Sequence, residues 1–115
     1  MRTIDTTVAE QFGHAIVRGD FDAAHALLTE DAQKIYTPQA MRESVTLMTS
    51  YADGPLLRVQ ITPGAVMDEW PDKQFDDVAW VYVSLEGDSF AEAATVILAS
   101  TDDGLRIREI EWGRP

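Results

Sequence analysis

Residues 15–28 read "AIVRGDFDAAHALL", and their punctuation orders everything around them. Ala15 and Ile16 end an apolar stripe that begins at Val8 and Phe12, at the spacing of one helix face. Gly19 stops that helix, because glycine enters the left-handed conformation of a C-terminal cap without penalty. Asp20 follows and caps the next helix by accepting its orphan amide protons. Phe21, Ala24, Leu27 and Leu28 then give the second helix its apolar side. The Arg18-Gly19-Asp20 triplet is therefore expected to be a helix-helix corner. An adhesion signal would demand an exposed extracellular loop, and nothing else in the chain suggests one.

On the N-terminal side, "TVAE" (Thr7–Glu10) has capping-box spacing, a hydroxyl followed three residues on by a carboxylate. On the C-terminal side, "YTPQAMRE" offers Thr37 as a cap and Pro38 in the first turn, where a missing N–H costs nothing. Met41, Val45, Met48 and Ala52 carry a third helix up to Asp53-Gly54-Pro55. The period then changes. Leu57, Val59 and Ile61 alternate with polar neighbours as a strand, and Pro63-Gly64 interrupts it. "VAWVYVSL" (Val78–Leu85), "FAEAATVILAS" (Phe90–Ser100) and "LRIREIEW" (Leu105–Trp112) complete a meander. Gly87 is expected first in a two-residue type II′ loop, and Asp103-Gly104 in a second hairpin. The expected class is α+β, with three N-terminal helices packed on a curved antiparallel sheet of about four strands, all within one domain over residues 1–115.

Both parities of the two central strands are apolar: Trp80, Tyr82 and Ile97 on one face; Val81, Val83, Leu85, Phe90, Val96 and Leu98 on the other. Helices cover only one face of so small a sheet. A symmetric partner, giving a homodimer through the sheet, is the expected cover for the second face. The chain has 115 residues, no cysteine and a net charge of −11. Disulfides, thiolate chemistry and Cys-ligated zinc are excluded. Phosphate backbones and anionic lipid surfaces repel such a chain, so neither nucleic acid nor membrane is an expected partner. The amino terminus lacks the apolar core of a secretory signal, and no apolar run reaches a membrane span, so a cytoplasmic location is expected.

"AEQFGHAIVRGDFDAAHALLTEDA" (Ala9–Ala32) resembles the amino-terminal helix pair of the cystatin-like α+β barrel superfamily. That superfamily includes nuclear transport factor 2, ketosteroid isomerase, scytalone dehydratase and the SnoaL-like polyketide cyclases. The resemblance rests on Gly19-Asp20-Phe21, Ala26-Leu27-Leu28 and Asp31-Ala32, and the later helix and strands match in order. It implies a cone-shaped barrel with a cavity between helices and sheet, suited to a small apolar or polyketide-like molecule. It does not imply a reaction, since one scaffold hosts many functions. Two ketosteroid isomerase roles are missing. Phe12 stands where that family's oxyanion-hole tyrosine sits, and a phenyl ring donates no hydrogen bond to an enolate. "QKIYTP" (Gln33–Pro38) carries no carboxylate where the catalytic aspartate belongs.

Among the remaining candidates, Glu92 interrupts an apolar strand, opposite Val83 in the expected register. A carboxylate among apolar atoms has its pKa raised, which suits a general acid or base near neutral pH. His25 lies at the edge of its helix's apolar face, within reach of a pocket mouth, whereas His14 points to solvent. Phe12, Tyr36, Tyr51, Trp80 and Tyr82 are the expected pocket-lining aromatics. The two histidines share no helical face, and no metal-ligand spacing occurs, so neither metal nor cofactor is expected. "MDEWPDKQFDD" (Met67–Asp77) reads as a solvated acidic loop whose Trp70 and Phe75 are able to fold back as a lid. Glu109 and Glu111, with Arg106 and Arg108 on the other parity, read as a wet rim. Two functions follow: a small-molecule-binding protein or cofactor-free lyase or isomerase using Glu92 or His25, or a non-catalytic protein-interaction module using its acidic surface or sheet face.

Overall fold

In a computed structural model that describes residues 4–114, four helices pack on one face of an antiparallel five-stranded sheet. The helices are α1 (Thr7–Arg18), α2 (Phe21–Ala26), α3 (Glu30–Ile35) and α4 (Pro38–Met48). The strands are β1 (Arg58–Gln60), β2 (Val66–Met67), β3 (Asp77–Glu86), β4 (Ala91–Thr101) and β5 (Gly104–Trp112). The order is β1-β3-β4-β5, with β2 also on β3, so β1 and β2 form one interrupted edge. A 3₁₀ turn at Pro63–Ala65 makes the interruption, where the proline-glycine pair was expected to break the strand. No helix among the described residues is long and apolar enough to cross a membrane.

The α1–α2 corner forms as its sequence reads. Gly19 is left-handed (φ 72°), and its amide donates to the α1 carbonyls. Asp20 Oδ1 accepts the Ala23 amide at 3.0 Å. The expected capping box does not form, because Thr7 is already the first helical residue. Its amide donates to Asp5 Oδ1 at 2.9 Å instead. The three-helix expectation also changes. Leu28 leaves α2 to bridge Ile107 in parallel, with the Thr29 amide donating to the Ile107 carbonyl at 2.8 Å and the Ile107 amide to Leu27 at 2.9 Å. That detour ends one helix, and Thr29 caps a new one through the Ala32 amide. Asp31-Ala32 therefore belongs to α3.

The core lies between helices and sheet. Phe12, Leu28, Met41, Leu85, Leu98 and Ile107 are completely or almost completely buried there. Alternate residues of β3 and β4 point the other way, where Thr95, Ile97 and Ala99 are buried by the chain itself. Trp80 and Tyr82 on the same face are half-buried. Two bulges distort this region, one after Asp77 in β3 and one at Arg108 in β5.

Candidate functional site

The helix-facing side holds the first candidate. Glu92 pairs with Leu85, not with Val83 as expected. The β3–β4 turn lies one residue further on than expected: Glu86 pairs with Ala91, and the Gly87 amide donates to the Phe90 carbonyl at 2.9 Å, which leaves Asp88-Ser89 at the tip. Gly87 is required here for space, since a Cβ would stand 2.1 Å from the Phe90 ring. That ring meets Tyr51 edge-on at 6.0 Å. Tyr51 in turn donates its hydroxyl to Glu92 Oε2 at 2.8 Å. Glu92 is 7% exposed, and Arg114 Nε approaches its other oxygen at 3.6 Å. The bond to Glu92 pushes the Tyr51 phenol up from its ordinary range, assisted by partial desolvation and the negative charge, against Arg114.

Phe12, expected to line a pocket, lies in the core. Phe12 has no exposed surface, and its ring lies 6.0 Å from that of Trp112. Gly13 brings α1 so close to the sheet that a Cβ would meet Val59 at 2.6 Å and Val83 at 3.0 Å. His25 binds neighbouring backbone: Nε2 donates to the Gln33 carbonyl at 2.9 Å, and the Gln33 side-chain amide donates back to the His25 carbonyl at 3.0 Å. This reciprocal pair fastens α2 to α3. The expected site residues are therefore dispersed. Glu92 and Tyr51 meet, Phe12 is core, Tyr36 lies by α3, and Trp80 and Tyr82 point to the outer face.

The second candidate is on that outer face. The segment after β2 folds back across the sheet, turning at Trp70-Pro71-Asp72-Lys73 with Asp72 left-handed (φ 68°). Between it and the sheet lies a pocket of about 250 Å³. Trp70 and Trp80 supply apolar wall, Thr95 and Ile97 the floor, and Asp72, Glu109 and Glu111 the negative charge. Trp70 thus folds back as expected, but over the far side of the sheet; Phe75 is 100% exposed.

Beside this pocket Asp77 and Arg108 form a two-pronged ion pair, with Nε–Oδ1 at 2.7 Å and the second pair at 2.8 Å. The Asp77 side chain has no exposed surface, so it does not belong to a solvated loop. The Gln74 amide donates to it as well, at 2.8 Å. Burial pushes the Asp77 carboxyl up. The bonds from Arg108 and Gln74 and the charges of Arg108 and Lys73 outweigh this and hold it below its ordinary value. Arg108 is raised, chiefly by its bond to Asp77. Nothing in the sequence pairs two residues 31 positions apart; the two bulges let them meet across β4.

Three further clefts are open grooves. One of about 490 Å³ runs between α3 and the Gln74–Asp77 segment, lined by Ile35, Tyr36 and Phe75. Others lie beside Thr29 and Asp102, and between Asp53 and Asp88. Neither Phe12, His25 nor Glu92 lines any of these four clefts. Among the described residues, no group of three or more His, Asp and Glu side chains is placed to hold a metal ion. In comparisons with family models, curated proteins and solved structures, the chain finds no match.

Proposed function

We propose that this protein is a non-catalytic binding module that recognises a basic partner through the acidic outer face of its sheet. One observation carries the reading. Phe12, Met41, Leu85 and Leu98, which lie between helices and sheet where an enclosed small-molecule site would be expected, have no exposed surface, and none of them lines a cleft described above. The outer pocket is open and lined by three carboxylates. A net charge of −11 adds long-range attraction for a cationic partner. The helix pair, the later helix and the antiparallel meander also fit a cone-shaped, cystatin-like barrel, the finer fold we propose.

Heteronuclear NMR tests the reading with two probes, octalysine and the apolar fluorophore anilinonaphthalene sulfonate. Octalysine should perturb amides of β4 and β5, and the perturbation should fade with added salt. Saturable entry of the apolar probe beside Phe12 and Trp112, with no response to octalysine, would overturn it. The homodimer expected from the sequence competes for the same face. Sedimentation should give the chain mass of 12.8 kDa, because Thr95, Ile97 and Ala99 are already buried and the exposed Glu109 and Glu111 of two copies would repel each other.

A second reading, proton transfer by Glu92, is favoured by its contact with the Tyr51 hydroxyl. It requires that the protein accelerate deuterium exchange into a β-keto ester in D₂O and that Glu92→Gln abolish the effect. Exchange at the buffer rate sinks it.

A further inference from the structure

We propose that the pocket between the Trp70 turn and the outer sheet face receives the cationic side chain of a partner peptide, a lysine ammonium or an arginine guanidinium. The inference rests on the binding-module reading and names the group recognised.

Charge is the first argument. Asp72, Glu109 and Glu111 line the pocket against a single guanidinium, Arg108. That guanidinium is already held by Asp77 through two bonds, and its remaining arm lies 3.5 Å from Glu109. Its positive charge is spent inside the protein. The pocket is left with excess negative charge, and Glu109 and Glu111 are exposed.

The walls supply the second argument. Two indoles, Trp70 and Trp80, flank the space, and the negative face of an indole attracts cations. The chain already uses this property, since the Lys73 ammonium lies 5.5 Å from the Trp70 ring centre. Lys73 does not quench the pocket, because its bonds go to the Asp68 carbonyl at 2.7 Å and to Glu69 at 3.1 Å. At about 250 Å³ the volume suits one long side chain, whose methylenes lie on the indoles while its charged end meets the carboxylates.

The third argument separates a peptide from a free amine. The Trp70 indole N–H is buried and finds no hydrogen-bond partner among the described residues, and a buried donor left unpaired is destabilising. A cation alone cannot relieve it. A peptide that shifts the Trp70 turn on entering brings a backbone carbonyl to that N–H, and a free amine brings none.

The three tryptophans give the experiment its signals, with Trp112 on the core side as internal control. Capped Gly-Lys-Gly, its Nε-acetylated form and n-butylammonium are titrated while the indole N–H resonances are followed. The lysine peptide should shift Trp70 and Trp80 saturably and leave Trp112 in place. Acetylation should remove the response, and n-butylammonium should bind at least fivefold more weakly. Glu109→Gln combined with Glu111→Gln, both at exposed positions that leave the core intact, should weaken the peptide at least tenfold. Glu10→Gln on α1 should change nothing. Equal binding of the acetylated peptide, indifference to the double substitution, or n-butylammonium binding as well as the peptide overturns the proposal. If octalysine perturbs other acidic segments while both indoles stay still, the pocket assignment falls and the binding-module reading stands. If octalysine perturbs nothing, that reading falls too.

Discussion

Asp77 is the residue whose environment has most to lose. Its carboxylate is shut away from water and answered by Arg108 and the Gln74 amide. Asp77→Asn takes the charge away from a buried position facing the half-buried Arg108, which keeps only Glu109 at 3.5 Å, and should cost about 1–3 kcal/mol of unfolding free energy. The pH dependence has a definite sign. A carboxyl held below its unfolded value contributes fully above about pH 4, and the contribution is lost as pH falls through the lower folded value. Denaturation midpoints of the wild type and Asp77→Asn should therefore converge in acid and separate towards neutrality. Phe12 has a different kind of commitment. Phe12→Ala should destabilise by about 3–5 kcal/mol through the cavity it leaves. Phe12→Tyr, which restores the hydroxyl of the resembled enzymes, should also destabilise, because the ring is wholly buried. Urea denaturation measures both.

Elements are held in register by two close approaches. α1 lies against β1 and β3 because Gly13 has no side chain to separate it from Val59 and Val83. Gly13→Val should lift the helix from the sheet, lower the thermal midpoint by several degrees and raise amide exchange in β1. At the other end Gly87 gives room to Phe90, and Phe90 in turn supports Tyr51 against Glu92. The helix corner was legible because glycine and aspartate each act on their immediate neighbours. The meander was legible because its alternation and turn residues are equally local. The Glu92 register was misplaced by two residues, since Gly87 marks a steric contact here and not a positive φ. The Leu28–Ile107 bridge, which splits the expected second helix, joins residues far apart and leaves no local signal. Asp77 and Arg108 were hidden for the same reason.

Across the whole molecule, the twenty acidic side chains against nine basic ones set a field that every packed state must bear. Folding brings these charges together, so added sodium chloride should raise the thermal midpoint by a few degrees between about 10 and 200 mM, as screening shortens to roughly 8 Å. A falling midpoint would show that attractive surface pairs outweigh the repulsion. Composition gives the sign of the partner proposed above but not the place of contact. The acids of the Met67–Asp77 segment look alike in sequence, yet Asp77 is buried in an ion pair and Asp72 lines an open pocket.

Both borders of the sheet are also obstructed. On one side the Pro63–Ala65 turn divides the border strand into β1 and β2. On the other, the Leu27–Thr29 segment already holds the amide and carbonyl of Ile107, and Glu109 and Glu111 continue along the same strand. Unoccupied borders are where sheets of separate chains fuse into fibrils. This protein should therefore remain dispersed at high concentration, and whatever it binds must settle on a face or in a groove rather than lengthen the sheet.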